Sequence, residues 1–332
     1  MPMSSKQLTL INFAKGLAIS AIVLFHLIYE YMEVPGILAT ASKFGGAGIH
    51  TFFLCSGFGL TLSQLRRPLT WKEFLQKRLR KVYIPYILVV LVSAALPWMY
   101  SGDDRLAAVL SHVFLYKMFV PEYTISFGAQ FWFVSTILQF YFVFLLLERM
   151  RSTLGIRKFL PGCCAVSLGW MLFTAVLGIH TQRIWGSFFL QYLWEFGLGM
   201  CLGELYHQGK PERRRISLPL IGAITLAALI LYGLMALKGG ALTAFNDVFG
   251  AAAMGGICLL LYQIKPVRSL FVWVNGFSYE LYLVHILVMA TCEHLLSPYL
   301  PNLVWCLLAL VITVPCALGY SKLLSLPRKQ KT

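Results

Sequence analysis

A chain of 332 residues in which 58% are hydrophobic and only 12% charged, with a mean hydropathy of +0.73, has too few charges to clothe a water-facing surface, which excludes an ordinary soluble protein. The formal net charge of +15 brings nucleic acid to mind as a partner. The basic residues are spread between apolar runs instead of forming one patch, so topology explains them and no nucleic-acid partner is expected.

Crossing a hydrocarbon core of ~30 Å takes roughly 20 apolar residues. Taken in chain order, runs of that kind fall at 8–30, 45–64, 82–101, 129–148, 159–178, 184–206, 216–237, 244–263, 271–292 and 302–325. The first lacks a small-residue cleavage site and is read as a retained span. The expected fold is an all-α polytopic transmembrane bundle of about ten helices, with membrane lipids around it. Most basic residues then fall in alternate loops: Arg66, Arg67, Lys72, Lys77, Arg78, Arg80 and Lys81 after the second run, Arg149, Arg151, Arg157 and Lys158 after the fourth, Lys210, Arg213, Arg214 and Arg215 after the sixth, Lys265 and Arg268 after the eighth, with Lys6 and a basic tail. The opposite loops carry Lys43, Arg105, Lys117, Arg183 and Lys238. This bias predicts both termini on the cytoplasmic side. A crossing at 106–120 would split the basic loops between the two faces, so that segment is read as non-spanning, either re-entrant or lying on the outer surface. Residues 1–332 form a single integral-membrane unit.

Lys15 stands inside the first run, where a charge is costly. Either its stem snorkels to the headgroups or it serves a site. His26 lies eleven residues on, about 20° past three full turns at ~100° per residue, so the two side chains share a face with a rise of about 16 Å between them. Glu30, four residues beyond, is placed to orient the imidazole or to sit among outer headgroups. Ser278, Tyr282 and His285 recur at helical spacing in the ninth run, and Glu195 and Glu280 are carboxyls at membrane depth that should face the protein interior. His50 is read as packing. The eight cysteines lack CxxC pairs or nearby histidines at ligand spacing, so no metal is expected. The small-residue runs at 199–203 and 250–256 predict close helix packing.

These residues carry a resemblance to the acyltransferase-3 family of integral-membrane acyltransferases. Lys15 and His26 occupy the places of its signature arginine and histidine. GGAGIHTFFLCSGFGL at 45–60 is similar to its glycine-rich entry with Phe52, Phe53, Ser56, Gly57 and Phe58. FLQKRLRKVYIPY, ending at Pro85 and Tyr86, resembles the basic stretch before its third helix. FWFVSTILQFYFV at 131–143 matches through Trp132, Phe133, Ser135, Gln139 and Tyr141, and SYELYLVH at 278–285 resembles its late block ending in histidine. The match runs over about 8–325. Two departures stand out: lysine replaces arginine at Lys15 and Lys81, keeping the charge but losing the bidentate fork, and Ile137 and Leu138 stand where some branches carry acidic residues.

Acyl transfer to a hydroxyl needs a base, a group to hold the developing oxyanion and a cationic grip on the acyl carrier. His26 is the natural base. His285 is a second proton acceptor, an oxyanion-stabilising group or a bridge between helices. Ser56 is the motif serine able to act as a nucleophile, set against a helix–helix hydrogen bond. Lys15, Arg78 and Lys81 suit the phosphates of a nucleotide-linked thioester, and Ser278, Tyr282, Trp132, Ser135 and Glu195 are candidate cavity-lining residues. The resemblance implies acyl-CoA, by frequency acetyl-CoA, as co-substrate rather than a permanently bound cofactor. It also implies a hydroxyl of a cell-envelope glycan as acceptor, and a bacterial cytoplasmic membrane as location. A transporter or lipid-linked glycan flippase is the alternative that ten helices and intramembrane charges also suit.

Overall fold

Backbone groups in lipid find no water to bond, so a chain this apolar must close its hydrogen bonds within each segment. The computed structural model describes residues 5–209 and 217–326, with side chains from residue 8, and among them there are helices and no strands. The side chains of Lys6, Lys210, Arg213, Arg214, Arg215, Arg328, Lys329 and Lys331, which entered the charge bias, lie outside the described part.

The chain begins with α1 (Ser5–His26), which runs on into a π-helical turn (Leu27–Tyr31), and a short α2 (Gly36–Ser42) follows. Next comes α3 (Gly48–Arg66), then α4 (Trp71–Arg78), a second π turn (Leu79–Tyr83) and α5 (Ile84–Ala95) in one helical run. The Thr70 hydroxyl and the Glu73 carboxylate close a reciprocal capping box that starts α4. The segment after α5 holds α6 (Arg105–Val113) and 3-10 turns. At about 14 Å, α6 is too short to cross, as expected for 106–120. The second half comprises α7 (Trp132–Leu154), α8 (Ile156–Val176), the single turn α9 (Arg183–Gly186), α10 (Leu193–His207), α11 (Leu218–Lys238), α12 (Asn246–Leu261), α13 (Lys265–Asn275), α14 (Ser278–Leu296) and α15 (Asn302–Ser325).

Six helical segments among the described residues are long and apolar enough to span a membrane, or up to seven if a bent pair counts as one. The expected count was ten. The three runs that fall short are those at 45–64, 82–101 and 184–206. Of these α5 and α10 measure only about 18 and 22 Å, and α3 mixes His50, Thr51, Ser56, Thr61 and three glycines into its apolar sequence. The ninth run is also corrected. Rather than one rod over 271–292, the chain bends by 77° between Asn275 and Ser278, so α14 begins at Ser278 itself.

Lipid tails are as apolar as leucine, so these helices associate by close packing rather than by expulsion of water. The most intimate pair is α3 with α10. A methyl group built on Gly57 would overlap the Phe196 carbonyl oxygen, and one on Gly199 would overlap that of Leu54, which bears out the expected backbone contact at 199–203. Aromatic rings fill the adjoining core. Phe140 of α7 stacks on Phe196 of α10 at 4.2 Å between centroids, and Phe53 of α3 stacks on Tyr192 at 4.5 Å. On the loop side of α7 and α10, Arg151 is 2% exposed and bonds the carboxylates of Glu148 and Glu204, so the charge is buried only with its partners.

Candidate active site

α1 ends in a π turn, the widened geometry that recurs at functional sites, and His26 stands at its mouth. Glu30 lies within that turn, and its Oε1 is 2.7 Å from His26 Nδ1. The carboxylate accepts the Nδ1 proton, which fixes the tautomer and leaves the Nε2 lone pair free to take a proton. The His285 ring of α14 lies 5.2 Å from the His26 ring, centroid to centroid. Its Nδ1 donates to the carbonyl of Tyr282 at 2.8 Å and lies 3.2 Å from that of Leu281. In the neutral ring the one N–H is thereby spent, and Nε2 is a buried acceptor without a partner. The first of the alternatives weighed for His285, a proton acceptor, fits that geometry; oxyanion stabilisation through Nε2 would need a proton that the neutral ring lacks there.

Two cavities lie in this region, and His26 borders the smaller. The larger, of about 820 Å³, carries Lys15, Lys77, Arg78, Arg80 and Lys81 on its wall, with Glu280 as its carboxylate. Arg78 Nε is buried and unpartnered, so a fork of N–H groups is available to an anion. The smaller, of about 420 Å³, is lined by His26, Glu30, His50, Trp132 and Asp247 among others. Tyr282 borders both. Lys15 and His26, which their spacing placed on one face of α1, open into different cavities, with Tyr282 in the wall of both.

The remaining candidates distribute as follows. Ser56 and Ser278 line the cation-rich cavity, with no histidine beside them on that wall. Trp132 lines the smaller cavity beneath the guanidinium of Arg183, 5.3 Å from the ring centroid. Two expected lining residues border neither cavity. Ser135 is 5% exposed and its hydroxyl is unpartnered, because α7 turns it into the helix packing. Glu195 is drawn away by an ion pair, its Oε1 lying 2.8 Å from Nδ1 of His50. That pair also corrects the reading of His50 as packing: its Nε2 sits 3.8 Å from Asp247 Oδ1, and Asp247 accepts a bond from Gln191 Nε2 at 2.9 Å. Sequence reasoning missed this His50–Glu195–Asp247 cluster, whose parts come from α3, α10 and α12.

It also missed the loop that floors the smaller cavity. Phe127 and Gly128 both adopt positive φ, 54° and 138°, conformations that cost about 1–3 kcal/mol each for a non-glycine residue. The Lys117 ammonium, fully buried, reaches the carbonyls of Ser126 and Gly128 at 3.3 and 3.4 Å and pins the loop. Burial, and after it the nearby Arg183 charge, pushes the Lys117 amine down to about 7 from 10.5. Between those values the unfolded chain holds one more proton than the folded chain, so stability rises with pH across that window. Thermal unfolding in detergent should show Tm climbing by several degrees from pH 7 to 10, at roughly 2–4 °C per kcal/mol for a chain of this size. Lys117→Met should flatten the climb; an equal climb in that variant contradicts the assignment.

Comparison with known proteins identifies relatives of the chain as a whole. A family profile described as an acyltransferase domain matches residues 9–322. The chain is 26% identical over 250 residues to the exopolysaccharide production protein ExoZ of Rhizobium meliloti (strain 1021), covering 73% of this chain and 75% of that protein. No solved structure matches.

Proposed function

The chain belongs to the acyltransferase-3 family, and from that premise we propose that it moves an acyl group, acetyl by preference, from acyl-CoA on the cytoplasmic side to a hydroxyl of an envelope or exported polysaccharide. The observation that carries the reading is the His26–Glu30 pair bordering a cavity that meets a cation-lined one at Tyr282. The polysaccharide acceptor is further supported by the name of the exopolysaccharide production relative.

In this reading residues 1–332 act as one unit in a bacterial cytoplasmic membrane. Ten crossings, with α3, α5 and α10 among them, put both termini and the cation-lined cavity on the cytoplasmic side. The 3′,5′-nucleotide phosphates of CoA sit among Lys15, Arg78 and Lys81, where lysine serves as a point charge in place of a guanidinium fork. The pantetheine arm passes Tyr282 and presents the thioester to the smaller cavity. His26 Nε2 takes the acceptor hydroxyl proton, the hydroxyl oxygen attacks the thioester carbon, and the proton passes on to the leaving thiolate. Glu30 steadies the imidazolium formed on the way. This direct route needs no acyl-enzyme, so Ser56 on the far wall is a wall residue in this mechanism.

Lys15→Met is expected to raise KM for acetyl-CoA by roughly ten- to a hundredfold, the loss of one charge-assisted contact of about 1.5–3 kcal/mol, with a much smaller change in kcat. Kinetics on the full-length protein in phospholipid vesicles measure this. An unchanged KM would mean that the ammonium only snorkels.

A further inference from the structure

Gln130 borders the smaller cavity together with His26, Glu30 and Tyr282. It is 2% exposed, and neither the nitrogen nor the oxygen of its side-chain amide has a hydrogen-bond partner. A buried amide left unpaired is destabilising, and native proteins keep few such groups. The surroundings hold this one in place. Tyr282 Oη donates to the Gln130 carbonyl at 2.5 Å. The positive-φ residues Phe127 and Gly128 shape the approach, with the Lys117 ammonium behind them. Gly128 also makes room: a Cβ there would overlap Gln130 Oε1. A strained, multiply fastened loop thus keeps a buried, unpaired amide on a residue in the wall of the cavity that His26 borders.

Several neighbouring polar groups are already committed. In the neutral state His285 has its one N–H committed to backbone carbonyl oxygen, Glu30 is occupied by His26, and Tyr282 donates to the Gln130 carbonyl. We propose that the Gln130 side-chain amide is the catalytic donor that holds the oxyanion formed on the acyl carbonyl during transfer. This rests on the acyl-transfer reading given above. When the acceptor oxygen bonds to the thioester carbon, its proton moves to His26 Nε2 and the carbonyl π pair becomes the lone pair of an alkoxide, which accepts a bond from Gln130 Nε2. Collapse restores the C=O bond, breaks the C–S bond and returns the proton from His26 to the departing thiolate.

A donor reserved for the transition state separates activity from stability. Methionine matches glutamine in length and removes the unpaired amide. Full-length protein in phospholipid vesicles is assayed with acetyl-CoA and a polysaccharide extract of the producing cell, following thiol release and alkali-labile acetyl on the polysaccharide. Gln130→Met should lower kcat by about 10²–10³-fold, the usual cost of one oxyanion donor, leave KM for acetyl-CoA within about twofold, and keep or raise Tm. Gly128→Ala, which displaces the amide without removing it, should lower kcat in the same direction. Wild-type kcat in Gln130→Met overturns the proposal, and so does a kcat loss matched by a fall in Tm in both variants. Activity that needs His26 but ignores Gln130 defeats this inference alone, whereas activity that survives His26→Ala defeats the acyl-transfer mechanism and this inference with it.

Discussion

Replacing His26 by alanine should reduce polysaccharide acylation by about 10²–10⁴-fold, the range that a positioned general base contributes. The effect is large because the pocket offers no equivalent group. His285 is fully buried and lines neither cavity, and the His50 imidazole, on the same cavity wall, has a carboxylate at each nitrogen, Glu195 at Nδ1 and Asp247 3.8 Å from Nε2. The protein should still fold, since His26 bonds only Glu30 and its removal opens a cavity that is already there. Glu30→Gln should cost less, about 10–100-fold, because it disturbs the tautomer and orientation of the ring rather than removing it. Mass spectrometry of envelope polysaccharide from cells carrying each variant, with immunoblots of the membrane fraction, measures both effects. Wild-type acylation in His26→Ala, at an equal amount of protein, would refute the role.

The second large effect concerns folding. Gly199→Leu should prevent the protein from accumulating in the membrane. The hydrogen that glycine places against the Leu54 carbonyl would become a branched side chain where not even a methyl fits. The neighbour is backbone, so no rotamer change relieves the overlap, and α3 must move away from α10. Overpacking in a rigid interior costs typically 1–3 kcal/mol and more when backbone has to shift. Here the same displacement also breaks the Phe53–Tyr192 stack and the His50–Glu195 bond, both of which tie α3 to the region around the start of α10. Gly162→Leu on α8, where a side chain meets open space, is the control. Size-exclusion profiles of detergent-solubilised protein should show a folded peak for the control and a lost or aggregated one for Gly199→Leu; equal peaks would contradict the account of this interface.

The sequence carried the site unevenly. His26 and Glu30 were legible because a helical period relates them, and the π turn does not abolish that relation. Tyr282 and His285 were legible for the same reason, even though the bend before Ser278 was not: hydropathy runs on through Asn275, Gly276 and Phe277 and contains no sign of a 77° change of direction. The cations Lys15, Arg78 and Lys81 were grouped as an anion grip by their charge and the family resemblance, and tertiary packing places all three on one cavity wall. His50 and Glu195 are 145 residues apart, and no local period connects α3 with α10, so their pairing could not be read. Gln130 gave no signal either. A glutamine at the very start of an apolar run, as here at 129–148, is ordinary, and only the structure reveals that its amide is buried without a partner. The shortfall from ten expected spans to six or seven has two causes: α3, packed closely against α10, carries glycine, histidine and hydroxyls and so a weaker apolar signature than lipid-facing helices such as α11 and α15, whereas α5 and α10 are shortened by turns that hydropathy does not mark.

The central claim is that acyl-CoA is held from one face of the membrane while the acceptor hydroxyl meets His26 from the other. The direct measurement uses full-length protein in sealed vesicles of known orientation, with radiolabelled acetyl-CoA confined to one face and the polysaccharide extract to the opposite one. Label should appear on polysaccharide only when acetyl-CoA is on the side of the cation-lined cavity and the acceptor is on the side of His26, and His26→Ala should abolish it. Labelling that requires both substrates on the same face would contradict the account.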